Sequence, residues 1–303
     1  MSQIEITVLK QGTRHPNVIS CSFFTMQDAY RSFAKYQSQL KRFLDQVKSL
    51  DYEVRIYTDD TGKDFALKVA KEPNVSVLHY DCEPFREDKG HVGTFGTLAR
   101  FLPLFEDHQT VWISDIDIPD HFLDDKFKGD IKICSNICYE RKVYGRKHTI
   151  LAGKFITRVQ IPKVLLTNFI KKLLAGNFKS QVDALNAQNT RKPPSAFPYG
   201  VDEVFLNSSV YDWIRKQDIN LTVETDMLVT NMLSKNVKLP QKDEDLLAEF
   251  YRHPRKQLMP RMKTLYKKWL PQLDHPCIKE LLDTLDSYDS NFIKKLFIKS
   301  SEL

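Results

Sequence analysis

Residues 110–117, TVWISDID, form a largely apolar run that ends in Asp115 and Asp117. The apolar part has the length and composition of a buried strand, so both aspartates lie at the strand's carboxyl end. Carboxylate oxygens are the ligands that hard divalent cations prefer, and such cations also bind phosphates. In α/β proteins, ligands bind at the carboxyl ends of the strands. The stretch therefore predicts a strand whose end carries a cation site.

Strand and helix patterns alternate through the first two-thirds of the chain. Strands are predicted over residues 18–24, 52–57, 75–80 and 110–114, with helical periodicity between them over residues 29–50, 65–70 and 98–105. This alternation predicts an α/β fold with a mixed, mainly parallel sheet, right-handed crossovers and flanking helices. Thr25, Asp59 and Asp60 follow the first two strands. We expect them to meet Asp115 at one edge of the sheet.

After the two aspartates, the pattern of the chain changes twice. Further strands are predicted over residues 131–138 and 149–156, the second with Gly153 near its middle. Glycine inside a strand often marks a close approach of a ligand or a neighbouring group. From about residue 240 the pattern changes to helical segments separated by prolines. We predict a main domain over residues 1–240 and a helical C-terminal extension over residues 241–303.

Composition restricts the class of protein. With 303 residues, 42% hydrophobic and 11% aromatic, the chain is long and apolar enough to bury a core rather than remain disordered. A formal net charge of +6 suits anionic substrates, but aromatic and basic residues do not interleave on a platform for nucleic acid. The first 16 residues lack an apolar signal-peptide core, and five cysteines are an odd number for a disulfide framework. These features predict a cytoplasmic protein with reduced thiols.

Two basic amphipathic segments near the C-terminus raise the question of membrane contact. They cover residues 262–270 and 291–299. Basic amphipathic helices can lie on anionic membranes. The favoured interpretation is that their apolar faces pack on the protein and their lysines face solvent, so peripheral membrane contact is an alternative and is not favoured.

Four sequence elements occur in a characteristic order. They are GTFGTLARF at residues 93–101, DID at 115–117, LAG at 151–153 and GVDEVFLN at 200–207. Together they resemble nucleotide-sugar glycosyltransferases of the GT-A fold, a Rossmann-like architecture, that carry a DxD motif. The resemblance covers roughly residues 18–210. The Asp202-Glu203-x-x-Leu-Asn stretch is most similar to the Asp-Gln-x-x-Leu-Asn element of the retaining, glycogenin-like group.

The resemblance implies a metal site built around the two aspartates. Asp115 and Asp117 would hold Mn²⁺ or Mg²⁺ bridging the diphosphate of the donor, so Asp115 also belongs to the donor site. The glycogenin-like group supplies a further histidine from a His-x-x-Gly-x-x-Lys-Pro element. This chain has RHPRK at residues 252–256 instead. His253 is therefore the candidate third ligand, although a surface histidine in a basic loop is the favoured interpretation.

The resemblance also implies contacts with the donor. Arg100 would face the nucleotide or the sugar, since a guanidinium makes paired hydrogen bonds to phosphate or sugar oxygens. Thr25 and Asp59 or Asp60 would contact the base and ribose, and helix capping is the alternative explanation for each. Gly153 is placed in the donor site as a position of close approach.

Asp202 and Glu203 are the candidate catalytic residues. In an inverting enzyme one of these carboxylates would deprotonate the acceptor hydroxyl. In a retaining enzyme of the glycogenin-like kind, the matching residues shape the pocket for the donor sugar and the acceptor. Glu203 stands where the retaining group usually has glutamine. Two acids at a helix start also match the helix dipole, which is the alternative without a catalytic role.

The sequence therefore predicts a metal-dependent glycosyltransferase. It would move a sugar from a nucleoside diphosphate-sugar, with UDP as the expected nucleotide, to a hydroxyl of a glycan, protein or lipid, with retention favoured over inversion. A catalytically degenerate binding or scaffold protein of the same fold is one alternative. A haloacid-dehalogenase-like phosphatase is another, because its nucleophile motif Asp-x-Asp-x-Thr/Val partly matches. Pro119 replaces the required Thr or Val.

Overall fold

The structure, a computed structural model, describes most of the chain. The described residues are 4–25, 32–117, 127, 129–135, 150–188, 194–225, 233, 237–252, 258–273 and 297–299. They form two compact units. The first comprises Met1–Ile131 with Ala152–Ile219, and the second comprises Lys132–Leu151 with Asn220–Leu303. Residues 220–240 thus group with the C-terminal residues, and the domain boundary at residue 240 stays a prediction.

The strands follow one another along the chain with helices between them. They are β1 (Glu5–Lys10), β2 (Asn17–Ser22), β3 (Glu53–Thr58), β4 (Val75–Asp81), β5 (Arg86–Glu87), β6 (Gly90–His91), β7 (Thr110–Ser114), β8 (Ile131–Ser135), β9 (Ile150–Thr157), β10 (Leu221–Thr225) and β11 (Phe297–Lys299).

The α-helices are α1 (Phe33–Val47), α2 (Lys63–Val69), α3 (Val164–Leu174), α4 (Lys179–Gln188), α5 (Val201–Phe205), α6 (Tyr211–Ile214), α7 (Gln241–Arg252) and α8 (Met259–Trp269). Short 3₁₀ helices cover Glu83–Phe85 and Leu270–Gln272, and a long one covers Phe95–Phe105. A π-helical turn, Leu206–Val210, joins α5 to α6.

The sheet of the first unit is mixed but mainly parallel. Its strand order is β1-β4-β3-β2-β7-β9. The inner strands β4, β3, β2 and β7 run parallel to one another, and β1 and β9 are antiparallel to their neighbours. The predicted α/β class, with a mainly parallel sheet flanked by helices, is confirmed. Because the four inner strands run in one direction, their carboxyl ends meet at one edge of the sheet.

Apolar periodicity explains why α1 lies on this sheet. Its buried residues, Leu40, Phe43, Leu44 and Val47, recur at the spacing of one helical face. The helix begins after Ser32, whose hydroxyl accepts a hydrogen bond from the backbone N–H of Lys35. Phe43 then packs on the buried Trp112 of β7, with ring centroids 6.4 Å apart. The helix therefore covers the strand that leads to Asp115.

The second unit has its own apolar core. Leu246, Leu247 and Phe250 of α7 are buried in one cluster with Met262 and Leu265 of α8. The apolar face of residues 262–270 is therefore packed inside this unit. Of the segment 291–299, only residues 297–299 are described, and β11 pairs antiparallel with β10. Among the described residues, no helix is long and apolar enough to cross a membrane.

An ionic network ties β3 to the start of β7. Arg55 donates to Glu53 at 3.1 Å and to Glu106 at 2.7 Å, and His108 lies 2.9 Å from the same Glu106 carboxylate. Hydrogen bonds from His108 and then from Arg55 lower the pKa of Glu106 from its ordinary value of 4.5 to about 2. The folded state thus favours the ionised carboxylate, which links folding to pH.

We expect Glu106→Gln to lower the free energy of unfolding by about 1 kcal/mol or less at pH 7, since half of this side chain is exposed. The contribution is complete above pH 4.5, the ordinary pKa, and is lost as the pH falls through about 2, the folded pKa. Urea denaturation of both proteins between pH 2 and pH 7 measures the difference. Glu87→Gln, at an exposed position of β5, is the control. A difference that persists unchanged at pH 2 would contradict the linkage.

Candidate functional site

A pocket of the first unit opens where β2 and β7 end. It contains about 850 Å³ of atom-free space, part of it open to solvent. Its lining consists of Ser22, Phe23, Phe24, Tyr36, Thr97, Arg100, Asp115, Ile116, Asp117, Ala152, Tyr199, Gly200, Asp202 and Glu203. Since β2 and β7 are neighbouring parallel strands, their carboxyl ends lie side by side. The pocket therefore occupies the edge of the sheet at which the sequence predicted a site.

Arg100 lies between two of the pocket's carboxylates. One guanidinium nitrogen, Nη1, donates to Oδ1 of Asp115 and to the carbonyl oxygen of Ser114, the latter at 3.2 Å. The other, Nη2, donates to Oδ2 of Asp202 at 2.5 Å. The arginine is only 4% exposed. It thus joins the end of β7 to the start of α5, two segments far apart in the chain.

The 3₁₀ helix Phe95–Phe105 carries Arg100 into this position. Ser20 of β2 donates a hydrogen bond to the carbonyl oxygen of Arg100 at 2.7 Å, and Ser22 donates to that of Gly96 at 2.8 Å. Phe101 is fully buried beside it. Two serines of β2 therefore hold the helix backbone at Gly96 and at Arg100. This fixes the point from which the arginine side chain extends into the protein.

Gly153 makes room for the carboxylate of Asp115. A methyl group on Gly153 would lie 2.1 Å from Oδ2 of Asp115, well inside van der Waals contact. The two residues approach because β9 pairs with β7, with Lys154 opposite Ser114. The predicted close approach at Gly153 thus exists in the structure, and the group that approaches is the Asp115 side chain. Its other oxygen, Oδ1, is held by Arg100.

The pocket carries a strong excess of negative charge. Four carboxylates and one guanidinium line it, which leaves three formal negative charges in excess. Burial raises the pKa of Asp202, although the neighbouring Arg100 opposes this effect. Burial works against the charge of Arg100, but Asp115 and Asp202 together outweigh it and raise the pKa of that guanidinium. Such a lining attracts cations, and it would accept a polyanion only together with one.

The residues present fit a divalent cation that is completed by its ligand. Asp115 and Asp117 are separated by one residue and both line the pocket. Within the described residues, no group of three or more His, Cys, Asp or Glu side chains is arranged to hold a metal ion. Mg²⁺ commonly binds through one or two carboxylates and completes its shell with water and phosphate oxygens. His253, the candidate third ligand, lies outside the described residues.

Thr25 and Asp59 come together, but in a buried network beside the pocket. Asp59 is 2% exposed, and its Oδ1 accepts from the backbone N–H of Thr61 at 3.0 Å and from its hydroxyl at 2.5 Å. The same hydroxyl oxygen accepts from the backbone N–H of Thr25 at 2.9 Å. On the other side, Oδ2 of Asp59 accepts from the hydroxyl of Tyr80 at 3.2 Å and lies 3.5 Å from Nδ1 of His91.

Asp60 belongs to a separate ion pair at the end of β3. Its carboxylate lies 2.6 Å from the ammonium group of Lys63 and 3.1 Å from Nε2 of His79. The hydrogen bond from Lys63 lowers the pKa of Asp60. Asp60 is not among the residues that line the described pocket. The structure thus gives Asp59 and Asp60 hydrogen-bond partners within the protein.

Several pocket residues were missed by sequence reasoning. Phe24, Tyr36 and Tyr199 line the pocket, and none of them belongs to a recognisable motif. Phe24 had a usable signal, because it directly precedes Thr25 at a predicted strand end. Tyr199 directly follows Phe197 and Pro198. The backbone N–H of Thr94 donates to the carbonyl oxygen of Phe197 at 2.8 Å, and its hydroxyl donates to that of Pro198 at 2.8 Å. Contacts of this kind join segments that are distant in sequence.

Comparison with known proteins finds no family model and no curated protein that matches this chain. The function of the pocket is therefore inferred from its residues and from the resemblance of its motifs.

We expect Gly153→Ala to destabilise the protein by about 2 kcal/mol, because the added methyl group displaces the Asp115 carboxylate. In a background of Asp115→Ala the same change costs at most half as much, since the carboxylate is gone and the Cβ of residue 115 lies 3.0 Å away. Urea denaturation of the four proteins in this double-mutant cycle measures the coupling. Additive effects would show that the carboxylate does not rest on Gly153.

Proposed function

We propose that this protein is a metal-dependent glycosyltransferase of the GT-A type that uses a nucleoside diphosphate-sugar. The observation that carries the proposal is the placement of Asp115 and Asp117 in one pocket with Arg100, Asp202 and Glu203. The motif order predicted this set, and the strands bring it to the carboxyl edge of a mainly parallel sheet. That edge is where α/β proteins bind nucleotides and their phosphates.

The pocket combines the two chemical surfaces that such a donor needs. Phe24 and Tyr36, which are both partly exposed, supply aromatic surface on which a planar base can stack. Asp115 and Asp117 supply carboxylate oxygens for a cation that accompanies the diphosphate. A UDP-sugar is the expected donor, and Mn²⁺ or Mg²⁺ the expected cation.

Bound at Asp115 and Asp117, the cation would act as a Lewis acid that stabilises the negative charge of the departing nucleoside diphosphate. The protein's own contribution is to keep those carboxylates fixed. Arg100 holds Oδ1 of Asp115, and Gly153 lies against Oδ2. A carboxylate held from two sides is preorganised, so little energy is lost in arranging it when the donor binds.

Transfer with retention agrees best with the state of Asp202. Its Oδ2 is paired with Arg100, and its Oδ1 accepts from the backbone N–H of Glu203 at 3.0 Å. With both oxygens engaged, Asp202 serves as a fixed negative charge that helps to stabilise the cationic character of the sugar during transfer. The bond from C1 to the diphosphate breaks, the acceptor oxygen bonds to C1, and the acceptor's proton passes to the departing diphosphate oxygen.

We propose a class of acceptor and a cellular location. The acceptor is a hydroxyl of a glycan, a protein or a lipid, and it would enter past Glu203 and Tyr199 on the pocket lining. We also propose a cytoplasmic location. Support comes from Cys21, Cys82 and Cys134, which are buried and form no disulfide, as expected in a reducing compartment.

We expect Asp117→Ala to reduce sugar transfer by at least about 100-fold while the protein stays folded, since this side chain is exposed and its loss removes a cation ligand. Release of UDP from a panel of UDP-sugars, with and without Mn²⁺, measures the activity. Asp45→Ala, at an exposed position of α1, is the control. Normal transfer by Asp117→Ala would overturn the metal role. A wild-type protein that binds neither Mn²⁺ nor UDP in calorimetric titration would favour a scaffold.

Glu203→Gln distinguishes the two stereochemical courses. This change introduces the residue that the retaining group usually has. If Glu203 shapes the pocket, we expect kcat to remain within about fivefold of wild type. A loss of at least about 100-fold would instead identify Glu203 as the base of an inverting enzyme. Proton NMR of the first-formed product gives the anomeric configuration and checks the assignment directly.

A further inference from the structure

Asp59 is too enclosed to contact a donor. Its carboxylate is 2% exposed, and it is not among the residues that line the described pocket. Both oxygens already accept hydrogen bonds, Oδ1 from Thr61 and Oδ2 from Tyr80. A carboxylate buried with its hydrogen-bonding capacity used is a fixed structural group. Its effect on any ligand must therefore pass through the residues that it holds.

One of these connections leads through Thr61 to the pocket wall. The Thr61 hydroxyl donates to Asp59 at 2.5 Å and accepts from the backbone N–H of Thr25 at 2.9 Å. Two residues earlier, the backbone N–H of Phe23 donates to the carbonyl oxygen of Tyr57 at 2.8 Å. Phe24, which lines the pocket, is therefore flanked by two anchored residues. The hydroxyl of Thr61 is thus one anchor of Thr25.

The other oxygen of Asp59 leads to the same aromatic side chain. Tyr80 donates to Oδ2 of Asp59 at 3.2 Å, and the ring of Tyr80 meets that of Phe24 edge to face, with centroids 6.5 Å apart. The hydroxyl of Tyr80 packs closely against Gly96. A methyl group on Gly96 would lie only 2.0 Å from that hydroxyl oxygen. Phe24 is thus held through its backbone by Thr25 and through its ring by Tyr80.

His91 completes the network from the β5–β6 hairpin. Nε2 of His91 lies 3.1 Å from the backbone nitrogen of Cys82 and 3.3 Å from Oδ1 of Asp81. Its Nδ1 faces Oδ2 of Asp59 at 3.5 Å, and the ring stacks on that of Phe95 with centroids 5.4 Å apart. Three strand ends and the hairpin therefore meet at one carboxylate.

We propose that Asp59 and Thr61 are positioning residues for the donor, which hold Phe24 where it stacks on the base of a nucleoside diphosphate. The proposal rests on the function proposed above. It replaces direct contact of Asp59 with the ribose by an indirect effect on base binding. Because base stacking is made equally before and during transfer, losing it weakens donor binding without slowing the chemical step.

The test compares Thr61→Val with Thr61→Ser. Valine matches threonine in shape but removes the hydroxyl that joins Thr25 to Asp59, and serine keeps it. We expect Thr61→Val to raise the Kd for UDP in the presence of Mn²⁺ about tenfold and to raise KM for the UDP-sugar similarly, with kcat within about twofold. Thr61→Ser should remain within about twofold of wild type in all three. Asp59→Asn is a second variant, expected to weaken UDP binding less than Thr61→Val does, since its amide oxygen can still accept from Thr61.

Hydrogen exchange of the peptide that contains Phe23, Phe24 and Thr25 is measured on the same proteins. Exchange of the Thr25 amide should be faster in Thr61→Val and unchanged in Thr61→Ser. Unaltered UDP affinity in Thr61→Val, or an equal loss in both variants, would overturn the positioning role. If the wild-type protein binds no UDP, the proposed function fails. Hydrogen exchange then decides separately whether Thr61 and Asp59 hold the pocket wall.

Discussion

The ion pairs of Arg100 with Asp115 and Asp202 are the interaction on which the rest of the site depends. A buried guanidinium is costly unless its charge and its hydrogen bonds are satisfied. Here two carboxylates, from the end of β7 and the start of α5, balance the charge and accept hydrogen bonds from Nη1 and Nη2, while Nε is buried with no hydrogen-bond partner among the described residues. Without the arginine, the acids of the pocket would repel one another with no compensating charge. The positions of Asp115 and Asp202 therefore depend on where the Phe95–Phe105 helix places one side chain.

The fold supports this interaction from several directions. β2 supplies Ser20 and Ser22, which hold the backbone of the helix, and β9 supplies the bare Cα of Gly153 beneath Asp115. Neighbouring parallel strands end at one edge, so acidic and aromatic residues share one pocket. A binding site that needs both a cation and a planar base can form there without any single long motif.

Many elements of the fold and site could be predicted because they are local. The burial of residues 110–114 follows from their composition, and the aspartates after them fall at the strand end for the same reason. The need for glycine at position 153 was also visible as an interior glycine in a strand. In contrast, β1 was not predicted, since its residues are exposed or nearly so and give no buried apolar pattern. Asp59 is a second example. Its place at a strand end suggested contact with a ligand, but its carboxylate is buried and accepts hydrogen bonds from Thr61 and Tyr80.

The sequence by itself determined the α/β alternation, the acidic strand end and the motif order that resembles a nucleotide-sugar glycosyltransferase. These follow from periodicity and residue type, which act over a few neighbouring residues. Only the tertiary structure decided which groups meet. Arg100 pairs with Asp202 across 102 positions, Thr25 reaches Asp59 through the hydroxyl of Thr61, and Gly153 receives the side chain of Asp115. Such contacts depend on how strands are ordered and how tightly side chains pack, and no local pattern encodes either.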